Sequence, residues 1–345
     1  IHIISSGAIL LCVITALISF SDRGYSSAKL VAIVLLALSV WGHLSFLEGL
    51  TNQPKLSVAK ARFLDRPLQK FEKSRSLVST DWLGKFRARH ESALEAIRQK
   101  YPMEEVDGSV DVYAPELQIM ALAHGLDYRP RPIFQSYSAY SQGLIEQNYV
   151  FLTGQSGPEY VVFRPNQIDG RYRPLQDGLS WKSLMSDFSL ESASQQFALL
   201  RRSPTGTKTI SERELLEKSV GWNEVINLPE SDNCLWAEIN IDSTLFGKLF
   251  TTLYKAPRVS MAVQFSNGST QVSRVIPSMT STGFLLSPQV NAPGDISSVC
   301  LEGVDPTPSR LRVRALRFLS ELDAQTHFRP EISIKLSEIQ IIPTN

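Results

Sequence analysis

The chain has 345 residues, with 35 Lys and Arg against 34 Asp and Glu and 43% apolar residues. This composition is typical of a globular protein with one or two buried cores, and its balanced net charge favours no class of partner. Three cysteines are too few for a disulfide-rich scaffold, and no basic surface interleaved with aromatic residues recurs along the chain, which argues against a nucleic-acid partner.

Two apolar runs near the start of the chain predict a transmembrane helical hairpin over residues 1–50. The runs Ile3–Phe20 and Leu30–Leu47 contain no charged residue, and each is long enough at about 1.5 Å per residue to cross roughly 27 Å of hydrocarbon. The short loop between them would force an antiparallel hairpin, with the lipid bilayer as partner. A cleavable signal peptide is the alternative for the first run, although no basic segment precedes it.

Basic residues around this hairpin bear on its orientation. The loop offers two Lys or Arg residues, whereas the 20 residues after Leu50 offer five. By the positive-inside rule this bias places the following domains in the cytoplasm. The chain begins with Ile-His-Ile-Ile rather than Met, so we expect further sequence upstream, and upstream helices would override the bias.

Residues 51–107 predict a basic, amphipathic helical stem. Apolar residues recur near 3.6-residue spacing, and a helix start signal at Ser79–Asp81 precedes the second half of the pattern. Residues 51–100 hold 12 Lys or Arg and 5 Asp or Glu. Two interpretations stay open: a solvated stem, or a helix that lies on anionic lipid headgroups.

Residues 108–230 predict a small α/β domain, because short apolar strands alternate with helical patterns. The predicted strands Val110–Tyr113, Pro132–Tyr137 and Glu159–Arg164 are separated by two helical segments. This β-α-β-α-β order favours a mainly parallel sheet covered by helices. A polar stretch over residues 205–232 follows.

Residues 231–345 predict an antiparallel β-sandwich of jelly-roll type, with seven candidate strands. Asn267-Gly268 is a hairpin signal that would supply the two positive φ angles of a type I′ turn. The last strand, Ile332–Ile342, alternates apolar and polar residues if a bulge lies near Ser337, and it resembles the last strand of jelly-roll carbohydrate-binding modules. The predicted fold class is therefore α+β, with a transmembrane hairpin, an α/β domain and a C-terminal sandwich.

Sequence signatures of common chemistry are absent. The five histidines form no i,i+4 pair and lie near no Cys or carboxylate cluster, so we predict no metal site. No phosphate-binding Walker loop, Gly-x-Gly-x-x-Gly run or Gly-x-Ser-x-Gly elbow occurs, and we predict no cofactor. Cys12 lies in an apolar run, which leaves Cys234 and Cys300 either paired or as two free buried thiols.

A ligand site is predicted around the segment YRPRPIFQSYSAY, residues 128–140. Ligands gather at the carboxyl ends of strands in open α/β sheets, and Tyr and Gln suit sugar hydroxyls. The two arginines would orient the segment unless the ligand is a phosphate. In the structural alternative the prolines stiffen an edge strand, the arginines pair with acids and the tyrosines cap the core. The candidate ligand-binding residues are Gln135, Tyr137, Tyr140, Asp169, Arg171, Arg129 and Arg131.

Three segments together carry a family resemblance. The run VDVYAPELQIMALAHGLDYRPRPIFQSYSAYSQGLIEQNYVFL, followed by GPEYVVFRPNQIDGRYRPLQDG and VIPSMTSTGFLLSP, resembles the C-terminal part of a family of uncharacterised bacterial multi-span membrane proteins. Those proteins are similar in layout to the C-type, polyprenyl-phosphate-sugar-dependent glycosyltransferases. The resemblance covers roughly residues 80–300 and implies an inner-membrane protein whose soluble part is extracytoplasmic. It implies no catalytic residue here, because the C-type enzymes carry theirs in an early loop that this sequence does not contain.

Three hypotheses for the function follow. In the first, the chain is the terminal part of a glycosyltransferase-like membrane protein of cell-envelope glycan or glycolipid assembly, and it holds an acceptor glycan or a lipid-linked sugar. In the second, it is a non-catalytic module that binds a glycan or a protein. In the third, which the charge bias alone favours, it is a cytoplasmic enzyme tethered by the hairpin, although it lacks a nucleotide-binding motif.

Overall fold

Three β-sheets organise the part of the chain that the computed structural model describes, which is residues 81–344 without 205–206, 255–256, 303–310 and 321–323, plus the single positions 65 and 69. By their contacts, the residues from Ser92 onward form one compact unit. The strands are β1 (Ser109–Val112), β2 (Asp127–Tyr128), β3 (Tyr160–Phe163), β4 (Phe188–Ala193), β5 (Ala198–Arg202), β6 (Lys208–Gly221), β7 (Ile226–Asn227), β8 (Cys234–Asn240), β9 (Val259–Phe265), β10 (Thr270–Val275), β11 (Phe284–Ser287), β12 (Val313–Ser320) and β13 (Glu331–Pro343). The helices are α1 (Trp82–Lys100), α2 (Ile119–Ala123), α3 (Gln142–Thr153), α4 (Gly178–Ser186), α5 (Leu245–Leu253), α6 (Pro277–Thr280) and α7 (Ala324–His327).

The first sheet is mixed, with the strand order β2-β1-β3-β5-β4. Strands β2, β1 and β3 are parallel, because helical segments carry the chain back between them, whereas β5 and β4 are added antiparallel. One face packs against Ile97 of α1 and against α2, and the other packs against Trp181 and Leu184 of α4. Strands buried on both faces explain the fully apolar run Tyr160–Phe163.

The second and third sheets each have four antiparallel strands, in the orders β10-β9-β12-β7 and β11-β8-β13-β6. They enclose a core that takes Met261 and Val263 from one sheet and Ile239 from the other. Ile145 of α3 and Tyr172 belong to the same core. The sandwich and the α/β part of the unit therefore share buried apolar surface.

Strand β13 connects two cores through the bulge that the sequence predicts near Ser337. The register shifts between Leu336 and Ser337, which confirms that prediction. The apolar residues before the bulge, such as Ile334, lie in the sandwich core, whereas Ile339 and Ile341 lie in the core shared with α4 and the first sheet. The apolar side chains of β13 therefore do not share one core, because the third sheet is covered on both faces.

A disulfide joins Cys234, at the start of β8, to Cys300, with the two Cα atoms 5.4 Å apart. The sequence left this pairing open. Both cysteines lie in the core beneath α4.

The predicted fold class, an α+β protein with a transmembrane hairpin and a mainly parallel α/β domain, is wrong. The structure is α+β with mostly antiparallel sheets, and none of the helices in the described ranges is long and apolar enough to cross a membrane. The two predicted spans and the first part of the predicted stem lie outside the described residues. The predicted β-α-β-α-β order does form, but the sheet is not mainly parallel, because β5 and β4 pair antiparallel. The second predicted strand, Pro132–Tyr137, does not form either; its place is taken by the short β2, which lies before the two prolines.

Two local predictions in the sandwich are corrected as well. Residues 205–232 were expected to be a polar connection, but 14 of them form β6, an edge strand that pairs with β13 along its whole length. Charged side chains protect such an edge from further pairing, which explains its polar sequence. The Asn267-Gly268 turn is not of type I′, because of the two residues only Gly268 has a positive φ, 82°.

Candidate functional site

Arg131 is the most buried of the candidate ligand-binding residues. Its guanidinium lies between two carboxylates: Nη1 donates to Asp111 Oδ2 at 3.1 Å, and Nε lies 3.6 Å from Asp177 Oδ2. Nη2 donates to the Tyr113 carbonyl and to Ser136 Oγ, both at 3.0 Å. The three charged side chains are fully buried, so Arg131 holds the segment in place and is closed to an external ligand.

One arginine faces two buried acids in this network, and burial shifts the pKa of both acids. Burial raises the pKa of Asp111, although the nearby Arg131 opposes the shift. Burial also raises the pKa of Asp177 to about 6, against the effects of Arg131 and of hydrogen bonds from Ser180 Oγ (2.7 Å) and Asn148 Nδ2 (2.8 Å). The network is therefore sensitive to pH in the weakly acidic range.

Three of the other candidates come together around Arg171. Its Nη1 donates to the Tyr137 carbonyl at 2.7 Å, and its Nη2 donates to the Tyr140 hydroxyl at 3.0 Å and lies 3.7 Å from Asp169 Oδ2. Arg171 itself is only 1% exposed. Among the described residues, Gln135 and Arg129 make no hydrogen bond or ion pair with this cluster. The Tyr140 phenol and the Asp169 carboxylate face solvent, but Arg171 is buried and donates its hydrogen bonds to protein groups.

A polar cavity of about 390 Å³ lies elsewhere on the unit, where α3 and α4 meet the ends of β5 and β6. Its volume is near the lower end of the range for small-molecule sites. Basic, acidic and hydroxyl-bearing side chains dominate its lining. The lining residues are Tyr149, Thr153, Ser186, Asp187, Arg202, Ser203, Pro204, Thr207, Lys208 and Ile210.

Arg202, the last residue of β5, is fixed at one wall of this cavity. Its Nε donates to the Pro158 carbonyl at 3.0 Å and its Nη2 donates to the Leu152 carbonyl at 2.7 Å. A Cβ atom on Gly157 would lie 2.3 Å from Nη2, so the close approach of the guanidinium requires glycine there. Burial lowers the pKa of Arg202, and the carboxylate of Asp187 partly offsets this effect.

Lys208 supplies the second positive charge of the cavity. Its ammonium donates to the Phe188 carbonyl at 2.7 Å, which uses one of its three N–H groups. Burial lowers the pKa of Lys208, and Asp187 again opposes the shift. The cavity therefore sets two half-buried cations beside one carboxylate.

The remaining polar groups of the cavity are held in defined positions. The Asp187 carboxylate accepts from the Ser183 and Ser186 hydroxyls, each at 2.9 Å. Burial raises the pKa of Tyr149, so its phenol stays protonated and can donate a hydrogen bond. Thr207 and Ser203 add further hydroxyl groups.

This arrangement suits binding of an anionic, hydroxyl-bearing molecule. Arg and Lys form strong charge-assisted hydrogen bonds to carboxylate or phosphate, and the hydroxyls can pair with sugar hydroxyls. Among the cavity residues, the one phenol has a raised rather than a lowered pKa, which disfavours it as a base. In the part of the chain that the structure describes, no group of three or more His, Cys, Asp or Glu side chains could hold a metal ion.

Sequence reasoning missed this cavity entirely. Its residues come from three separated stretches of sequence, residues 149–153, 186–187 and 202–210, and none of these stretches forms a recognisable motif. The one available signal was the pair Arg201-Arg202 at the end of an apolar strand, a position where ligand-binding residues often lie.

No protein-family model matches the chain, and no curated protein matches it. The family resemblance that the sequence suggests therefore stays a prediction.

Proposed function

We propose that this chain binds an anionic glycan or glycolipid of the bacterial cell envelope, and that it does so as the non-catalytic, substrate-holding part of a glycosyltransferase-like protein. The observation that carries the proposal is the pairing of Arg202 and Lys208 in one cavity with the hydroxyls of Tyr149, Ser203 and Thr207. The cations would bind a phosphate or uronate group, and the hydroxyls would bind the sugar ring.

The disulfide supports an extracytoplasmic location for the site. Disulfides form and persist in oxidising compartments and are rare in the cytosol. The Cys234–Cys300 bond lies in the core beneath α4, the helix that contributes Ser186 to the cavity. It opposes the cytoplasmic assignment that the charge bias alone favours.

Binding of small anionic sugars to the purified chain tests the proposal. We expect glucose 1-phosphate and glucuronate to bind, and uncharged glucose to bind much more weakly, in isothermal titration calorimetry. Lys208→Gln keeps a donor for the Phe188 carbonyl but removes the charge, so it should weaken glucose 1-phosphate binding by about tenfold or more.

A lysine on a different strand provides the matched control. Lys335 of β13 pairs with Glu214 at 3.6 Å and does not line the cavity, so Lys335→Gln should leave the affinity unchanged. Equal affinity for glucose and glucose 1-phosphate, or equal losses in the two lysine variants, would refute the proposed site.

A further inference from the structure

Helix α5 carries an apolar face that the described part of the protein leaves exposed. Leu245, Leu249 and Leu253 follow one another at four-residue spacing and are 87%, 62% and 69% exposed. Phe246 and Tyr254 are also exposed, and they lie beside this row, where their rings contact Phe250. Exposed leucines in this number form a continuous patch, unlike the scattered apolar residues of an ordinary surface.

The opposite side of the helix is fixed to the protein. Thr244 caps the helix by accepting from the Gly247 N–H at 3.0 Å, and its hydroxyl donates to the Thr326 carbonyl at 2.8 Å. A Cβ atom on Gly247 would lie 1.9 Å from the His327 carbonyl oxygen, so glycine is required for this close contact. The Phe250 ring packs edge-on against His327, with the centroids 4.8 Å apart. The apolar face is thus presented outward by a rigidly held helix.

The one charged residue of α5 is basic. Lys248 is the only Asp, Glu, Lys or Arg between Leu245 and Leu253. Lys248 is exposed on α5 itself and lies to one side of the leucine row on the helical wheel. Long basic side chains can reach the headgroup region while apolar neighbours enter the acyl region.

We infer that α5 docks this protein onto the surface of an anionic lipid bilayer. Leu245, Leu249 and Leu253 enter the boundary between headgroups and acyl chains, and Lys248 meets the lipid phosphates. The short helix lies in the plane of the interface and does not cross the bilayer. This surface is separate from the Arg202–Lys208 cavity, so the inference does not depend on the proposed glycan site.

A local probe tests the docking, because other segments of the full chain could also contact lipid. In a Cys12→Ser background, Leu249→Cys is labelled with the environment-sensitive dye NBD, since Cys234 and Cys300 are joined in the disulfide. Val150→Cys on α3 is the control, because Val150 is 65% exposed and closely matches Leu249. Vesicles of phosphatidylglycerol and phosphatidylethanolamine are compared with vesicles of phosphatidylcholine.

We expect NBD at position 249 to shift to the blue and brighten on the anionic vesicles, with little change at position 150. The double change Leu245→Ser and Leu253→Ser should weaken this response by about tenfold or more, and Lys248→Gln by about fivefold. Equal responses at both positions, no response at 249, or equal responses on phosphatidylcholine would overturn the inference. A response at 249 that rises with protein concentration without lipid would assign the face to a second copy of the chain and would overturn it too.

Discussion

The side chain of Asn148 on α3 pairs with the backbone N–H and carbonyl of Ile133, as a neighbouring strand would do in a sheet. Asn148 Oδ1 accepts from the Ile133 N–H at 2.8 Å, and Nδ2 donates to the Ile133 carbonyl at 3.1 Å. Both backbone groups of Ile133 are thus paired without a sheet ladder. Pro130 and Pro132 have no N–H to donate, so a buried amide side chain provides what a strand could not provide at this position.

Asn148→Ala should destabilise the protein by roughly 2–4 kcal/mol. The change removes the partners of two backbone groups and one hydrogen bond to Asp177, all at a buried site. Urea denaturation followed by circular dichroism would measure the loss. Asn291→Ala is the control, since Asn291 is exposed and its Oδ1 accepts a hydrogen bond from Arg173 Nη1, and the change should cost less than about 0.5 kcal/mol. Equal losses in the two variants would show that Asn148 does not hold the segment.

Asp177 should make the stability of the protein fall as the pH rises. Its pKa in the folded protein, about 6, exceeds the ordinary value of 3.8, so the folded state binds its proton more tightly than the unfolded state does. Its contribution is full below pH 3.8 and is lost as the pH rises through about 6, by roughly 3 kcal/mol in all.

Asp177→Asn isolates this effect from that of the other titrating groups. Asparagine can still accept from Ser180 and Asn148, and the Asp111–Arg131 pair remains. Denaturation at a series of pH values from about 4 to 7 should show a smaller loss of stability with rising pH in the variant than in the parent. Asp127→Asn, at an exposed carboxylate, controls for the change in net charge. Identical pH profiles for the parent and Asp177→Asn would contradict the assignment.

Gly157→Ala should disturb both the fold and the cavity. The added Cβ would lie 2.3 Å from Arg202 Nη2 and 2.5 Å from the Phe151 carbonyl oxygen, so the guanidinium and the backbone must both move. We expect a loss of about 1–3 kcal/mol in unfolding free energy, together with weaker glucose 1-phosphate binding. Gly143→Ala in α3 meets no atom within 4 Å and should be neutral or slightly stabilising, as Ala favours a helix. Unchanged stability and binding in Gly157→Ala would show that Arg202 is not confined.

Many of the strands could be predicted from the sequence. Alternating apolar and polar residues, together with β-branched residues, indicate a strand that is buried on one face. Strand β9 begins and ends where the apolar pattern does, and the bulge of β13 follows from the change in phase after Leu336. Strand β6 could not be found in this way, because charged residues interrupt its few apolar positions. Only Ile210, Leu215, Leu216 and Val220 of this edge strand pack against the cores.

The candidate site could be predicted only in part. The sequence predicts that Gln135, Tyr137, Tyr140, Asp169 and Arg171 lie together. The structure brings the last four together and leaves Gln135 outside the cluster. The structural alternative, in which the arginines pair with acids, is confirmed for Arg131. The sequence did not identify its partners, because Asp111 and Asp177 come from a strand and from a turn far along the chain. The Arg202 cavity depends on tertiary contacts among three stretches of sequence, which local spacing does not encode.

A crystal structure of the chain with glucose 1-phosphate bound tests the central claim most directly. The account predicts that the phosphate lies within about 2.7–3.2 Å of Lys208 Nζ and of a guanidinium nitrogen of Arg202, with the sugar hydroxyls near Tyr149, Ser203 or Thr207. An empty cavity in crystals that hold the ligand at another site, the Arg171 cluster included, would contradict it.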